Sequence, residues 1–181
     1  MNRFMACVSL MAMVAAPNAM AALAVGANAP DFSAQASLGG KEYSFSLADA
    51  LKKGPVVLYF YPAAFTKGCT IEAHDFAEAM PQYAALGATV IGVSHDTIDT
   101  LDRFSVSECR NKFPVAADPQ ENVIKSYDAV LPQKPEYANR TSYVIAPDHS
   151  ILMTYTNLDP DEHVELTLAA VKKWRDSQGQ K

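Results

Sequence analysis

A threonine and a cysteine three residues apart, Thr66 and Cys69, follow an apolar run that ends in Tyr61 and Pro62. Residues at i and i+3 share a face of a helix, so a helix beginning here turns the hydroxyl toward whatever the sulfur attacks. In a first helical turn the sulfur also meets free backbone N–H groups and the positive end of the helix dipole, both of which favour thiolate over thiol. The competing reading is a small buried hydrophobe, since free cysteines often serve only as packing.

The stretch VVLYFYPAAFTKGCT, residues 56–70, resembles the Pro-x-x-x-Thr-x-x-Cys active site of peroxiredoxins in the AhpC/TSA family. It is most similar to the peroxiredoxin Q branch, also called bacterioferritin comigratory protein. Four further stretches, VGANAPDFS, VIGVSHDT, FPVAADP and NRTSYVIAPD, match that family in order, so the resemblance runs from about Val25 to Leu158. It implies an α/β protein of thioredoxin-like fold, with a central mixed β-sheet flanked by helices. It also implies a thiol peroxidase that reduces hydrogen peroxide and small organic hydroperoxides without metal, haem or flavin, its electrons returned by a thioredoxin-like or other thiol donor.

Carried over residue by residue, the resemblance makes Cys69 the peroxide-attacking thiol and Thr66 and Arg140 the donors around it. Pro62 seals the pocket and shapes the turn, and Glu72, the acid after Gly68-Cys69-Thr70, orients Arg140. Phe60 and Phe65 are pocket walls or plain core. One departure stands out: His74 occupies the place, five residues after Cys69, where the commonest pattern of this branch has a resolving cysteine. A second route in the branch puts that cysteine on the next helix, which makes Cys109 the candidate partner in an intramolecular disulfide. A one-cysteine enzyme using an external thiol, and an exported redox or chaperone protein on the same scaffold, are the alternatives. A disulfide oxidoreductase would want vicinal cysteines and a cysteine hydrolase a histidine base, and neither can be placed.

Peroxide chemistry explains why donors matter more than acidity here. A thiolate attacks one oxygen, the other leaves, and the sulfur becomes a sulfenic acid. Dropping a thiol pKa from about 8.5 to about 6 raises the thiolate at pH 7 about thirtyfold. A Brønsted slope of about 0.4 to 0.5 then takes back roughly tenfold. The remaining acceleration must come from groups aimed at the charge developing on the oxygens.

With 181 residues, 49% hydrophobic and 19% charged, the chain has the composition of one globular domain. A net charge of −5 without basic clusters argues against nucleic acid as a partner. Met1-Asn2-Arg3, an apolar stretch to about Ala16, and the triplet Ala19-Met20-Ala21 read as a signal peptide over residues 1–21. The expected mature domain, 22–181, is exported to the periplasm, free of the membrane, and a monomer or weak homodimer. Cleavage removes Cys7 and leaves two cysteines, Cys69 and Cys109, which an exported protein uses as a staple or in redox chemistry. His95, His149 and His163 show no metal-ligand spacing.

The positioning elements follow from periodicity. Pro30 to Lys41 reads as an extended start with a turn, and Ser46 to Leu51 as a brief helix. Val56 to Tyr61 fits a strand buried on both faces, and Thr89 to Val93 a second. Thr66 to Ala85 is helical, with Pro81 a kink or interruption. His95 to Lys112 reads as a helix bearing Cys109 on the side of Ile98 and Ser105, followed by a short strand at Phe113 to Ala116. Asp118 and Pro119 signal a helix start, as do Asp159 and Pro160 before a final helix. Tyr143–Ile145 and Ile151–Tyr155 form a hairpin, and the connection from Asp128 to Arg140 is expected to be the most mobile.

Overall fold

Continuous apolar side chains from Val56 to Phe60 leave no face for water, and this strand accordingly sits in the middle of the molecule with every residue buried. The computed structural model describes residues 22–179. Seven strands make one sheet: β1 Ser33–Leu38, β2 Lys41–Ser46, β3 Val56–Phe60, β4 Thr89–Ser94, β5 Val115–Ala117, β6 Thr141–Ile145 and β7 Ile151–Thr156. Five helices accompany them: α1 Leu47–Leu51, α2 Lys67–Ala85, α3 Ile98–Ser107, α4 Asn122–Ser126 and α5 His163–Gln178. The strand order is β2-β1-β5-β4-β3-β6-β7, with β3, β4 and β5 mutually parallel and β1, β2, β6 and β7 joined antiparallel.

Alternation along β3 divides the core in two. Val56, Leu58 and Phe60 face a cluster completed by Leu47, Leu51, Ile124, Tyr127 and Tyr143. Val57, Tyr59 and Tyr61 face the other side, where Cys69, Phe76 and Tyr83 of α2, Phe104 of α3 and Val171 of α5 pack. On this second face Tyr59 stacks on Phe76 at 4.4 Å, and its partner across the ladder is Gly92. A Cβ at Gly92 would stand 2.7 Å from the Tyr59 ring, so the glycine makes room for that tyrosine.

Several expectations need correcting. Helix α3 ends at Ser107, so Cys109 lies in the turn beyond it rather than on the helix; Arg110 and Asn111 follow at φ 52° and 57°. These left-handed residues reverse the chain and bring Phe113, 1% exposed, into the core ahead of β5. Helix α4 starts at Asn122, because Glu121 at φ 58° interrupts the expected start at Pro119. Asp118 still caps it, its carboxylate accepting from the N–H groups of Asn122 and Ile124 at 3.0 and 2.8 Å. Glu162 rather than Asp159 stands at the start of α5, with no side-chain cap bond. Helix α2 runs unbroken through Pro81. Apart from these corrections, a bridge between Val130 and Ala138 ties the connection from Asp128 to Arg140 across its own span. The predicted export signal, residues 1–21 with Cys7, lies outside the described residues, and among those described no helix is long and apolar enough to cross a membrane.

Candidate active site

The chain leaves β3 through Tyr61, whose N–H still donates to Val93 at 3.1 Å, and reaches α2 by a six-residue connection. Pro62 is half-buried at the first bend. The Ala64 N–H donates to the Asp96 carboxylate at 2.8 Å, and Ser94 donates to the same oxygen at 2.8 Å, so the loop is pinned to the end of β4. Phe65 adopts φ 63°, is 48% exposed and meets Phe104 edge-on at 5.2 Å. Thr66 follows as the N-cap residue of α2 in extended conformation.

Cys69 falls in the first turn of α2 and is 1% exposed. Arg140, just before β6 and 4% exposed, reaches the sulfur from the strand next to β3: its Nη2 donates to Cys69 Sγ at 3.5 Å. The rest of the guanidinium is fixed, with Nη1 paired to Glu72 Oε2 and Nε donating to the Leu158 carbonyl at 2.9 Å. Gly68 permits this approach, since a Cβ there would sit 2.9 Å from Arg140 Nη2. Sequence, loop and sheet thus bring Cys69, Arg140 and Glu72 together.

Glu72 is fully buried, and burial pushes its carboxyl up to about 8 despite Arg140 beside it. Behind it lies His163, also fully buried, with Nδ1 3.7 Å from Glu72 Oε1 and 2.7 Å from Ser142 Oγ. Its Nε2 is 2.9 Å from the Asn157 carbonyl. Burial first, then repulsion from Arg140, holds His163 down to about 4, against the raising effect of its hydrogen bond to Asn157. Sequence reasoning passed over His163, Ser142 and Gly68. Each matters through a contact between separate elements, which spacing along the chain cannot report.

Other expected site residues end elsewhere. The Thr66 hydroxyl donates to the Ala63 carbonyl at 2.9 Å rather than to the sulfur, so its proton is committed and its lone pairs are what it can offer. Phe60 is plain core on the opposite face from Cys69. His74, 34% exposed, pairs with Glu108 at 2.9 Å, and one turn on Glu78 pairs with Arg110 at 3.0 Å. These two pairs link α2 to the turn that carries Cys109. Cys109 itself is 0% exposed in the same apolar cluster as Cys69, both free, and burial pushes its thiol well up. Among the described residues, no three His, Cys, Asp or Glu side chains converge as a metal-ligand set.

A buried cysteine on a helix N-terminus, held under an arginine on a mixed α/β sheet, defines a class of thiol enzyme, and comparison with known proteins agrees. The chain belongs to the AhpC/TSA family, whose pattern matches residues 25–153. Among its relatives, a putative peroxiredoxin bcp of Helicobacter pylori is 31% identical over 157 residues, covering 84% of this chain and all of that protein. Peroxiredoxin Bcp of Xanthomonas campestris is 29% identical over 123 residues, covering 65% of this chain and 76% of that one. The crystal structure of peroxidoxin BcpB from Mycobacterium tuberculosis superposes with a TM-score of 0.75 at 30% identity, covering 82% of this chain and 96% of that one. A mutant PrxQ of Xylella fastidiosa shares the fold, with a TM-score of 0.76 at 24% identity and coverage of 85% and 98%. The fold is thioredoxin-like, of the peroxiredoxin type, and the branch is that of Bcp and peroxiredoxin Q. The activity that follows is that of a thiol-dependent peroxidase, an oxidoreductase acting on hydroperoxides with a thiol reductant.

Proposed function

We propose that Cys69 is the thiol that attacks the peroxide, on hydrogen peroxide and small organic hydroperoxides. The carrying observation is the Arg140 Nη2 contact to Cys69 Sγ at 3.5 Å in a site almost closed to water. There a fixed guanidinium acts on developing oxygen charge at low effective dielectric, where such a donor is worth most. Thr66, with its own proton given to Ala63, accepts the hydrogen of the incoming hydroperoxide and orients it. Pro62 bounds the loop, and Glu72 fixes Arg140. A groove of about 650 Å³ beside Phe65, lined also by Gly40 and Val106, offers apolar surface suited to the organic part of a hydroperoxide.

Cys109 resolves the sulfenic acid of Cys69 as an intramolecular disulfide. Both thiols are buried among Tyr59, Tyr61, Phe76, Phe104 and Phe113, so the bond requires the turn at Cys109 and the first turn of α2 to open. What ties the two segments at the surface is weak, since exposed pairs such as Glu78–Arg110 contribute about 0–1 kcal/mol each. The electron donor is a thioredoxin-like or other thiol protein. Supported by the signal-like residues 1–21, the mature chain works in the periplasm as a monomer or weak homodimer.

Stopped-flow reduction of peroxide by the reduced protein tests this reading. Cys69→Ser should abolish it, and Arg140→Met should slow it by about a hundredfold, the scale of one lost oxyanion-type donor. Thr66→Val, which removes the acceptor that orients the hydroperoxide, should slow it by a comparable factor of about a hundred. A Cys69→Ser protein that still turns over peroxide would sink the proposal. A Cys109→Ser protein with unchanged turnover on a small thiol would make the enzyme a one-cysteine type.

A further inference from the structure

We propose that Glu72 is the proton store of the site, giving up its proton as Cys69 loses its negative charge, with Arg140 as the cation the two acids share. This rests on Cys69 being the peroxide-attacking thiol. Arg140 is one fixed positive charge with an acid on each terminal nitrogen, Cys69 on Nη2 and Glu72 on Nη1. All three groups are at most 4% exposed. With both acids ionised the group carries a net buried negative charge; with one ionised it is neutral. When Cys69 is the thiolate, charge balance therefore places a proton on Glu72.

The surroundings of the second carboxyl oxygen support that placement. Among the described residues no hydrogen-bond partner reaches Glu72 Oε1. The nearest ring nitrogen is His163 Nδ1 at 3.7 Å. Because His163 Nε2 faces a carbonyl, which only accepts, Nε2 carries the proton of the neutral ring and Nδ1 is an acceptor. The Nδ1 lone pair is taken by the Ser142 hydroxyl at 2.7 Å, so an ionised Oε1 would be a buried charge with no donor, whereas protonation of the carboxyl removes that uncompensated charge. The elevation of Glu72 to about 8 and the depression of His163 to about 4 put the proton on the carboxyl rather than the ring. The charged and titratable groups that bear on Glu72 are Arg140 from the start of β6, Cys69 and Asp75 from its own helix, His163 from α5 and Tyr59 from β3.

The step balances. The thiolate forms a bond to one peroxide oxygen, the O–O bond breaks, and the electron pair leaves on the other oxygen; sulfur is oxidised to the sulfenic acid and the peroxide is reduced. The alkoxide or hydroxide takes a proton to become alcohol or water, and Glu72 releases one through solvent, leaving a carboxylate against Arg140. Arg140 is neutralised by one acid before and by one acid after. Glu72 touches neither sulfur nor substrate, so it is a positioning and charge-balancing residue.

The test uses the Cys109→Ser protein, which stops at the sulfenic acid, at a pH where ultraviolet absorbance shows Cys69 as the thiolate. One equivalent of peroxide is added in weak buffer with a pH indicator, and mass spectrometry reads the oxidation of Cys69. No net proton should be taken from the medium, and the infrared difference between reduced and oxidised protein should lose the carbonyl band of a carboxylic acid. With Glu72→Gln added, that band should be absent and one proton per Cys69 should be taken up. Uptake of one proton by the Glu72-containing protein, or a carboxylic acid band unchanged on oxidation, overturns the proposal, and both readings hold even if the Gln variant fails to fold. Thiolate that peroxide leaves unoxidised at Cys69 overturns the reading beneath it as well, a result the mass spectrum separates from the others.

Discussion

Gly68→Ala pits local stability against the site. In a helix alanine is favoured over glycine by up to about 1 kcal/mol, so the change should leave α2 as stable or more so. Yet the new Cβ would stand 2.9 Å from Arg140 Nη2, where ordinary contact begins at 3.4 Å, so something must give by about half an ångström. The guanidinium is the flexible end, but Nη1 is tied to Glu72 and Nε to the Leu158 carbonyl, which leaves it little freedom to move away. A shift of that size stretches the 3.5 Å contact with Cys69 Sγ to about 4 Å, the outer limit for a donor to sulfur. Losing such a donor outright costs about a hundredfold or more in rate, so a displaced one should lower the second-order rate with hydrogen peroxide at least about tenfold. Stopped-flow oxidation of the reduced protein gives the rate, and thermal unfolding shows whether the fold is intact. A variant with an unchanged or raised Tm and a rate within about twofold of wild type would refute the assignment of Arg140 to the sulfur.

The buried acid and base also make stability depend on pH in a specific way. Glu72, raised from 4.5 to about 8, contributes stability that is full at acid pH and lost as pH rises toward 8; His163, lowered from 6.5 to about 4, contributes stability lost as pH falls from 6.5 toward 4. The two slopes cancel between about pH 4.5 and 6.5, leaving an unopposed fall of about 2 kcal/mol from pH 6.5 to 8. Urea midpoints of the reduced protein across that range check it, and Glu72→Gln should remove the fall; a rise in this window would contradict the reading. Gly92→Ala should destabilise by about 1–3 kcal/mol through overpacking against Tyr59, read as a lower urea midpoint with unchanged slope.

Much of the scaffold could be read from the chain because its strongest signals are local. β3 and β4 are apolar runs whose length and β-branched content allow little else, and the hairpin β6–β7 is bracketed by Pro147-Asp148. The end of α3 was not legible: Glu108-Cys109-Arg110-Asn111 contains no glycine or proline, and the left-handed turn there is imposed by the burial of Phe113. Pro119 misled for a related reason, since Asp118 caps α4 from outside an intervening left-handed Glu121. At the site, Cys69, Arg140 and Glu72 were reachable through the resemblance and are adjacent in the fold. The hydroxyl direction of Thr66, the allowance made by Gly68 and the pairing of His163 with Ser142 depend on how α2, β6 and α5 pack, which no periodicity encodes.

The most direct measurement is titration of the reduced protein with hydrogen peroxide, followed by mass spectrometry of intact chain and tryptic peptides. Each equivalent of peroxide should consume one Cys69, giving a chain lighter by a pair of hydrogen atoms with the Cys69 and Cys109 peptides cross-linked, or in Cys109→Ser a single added oxygen confined to Cys69. Peroxide that persists while Cys69 stays free to alkylation would contradict the assignment of Cys69 as the reacting thiol.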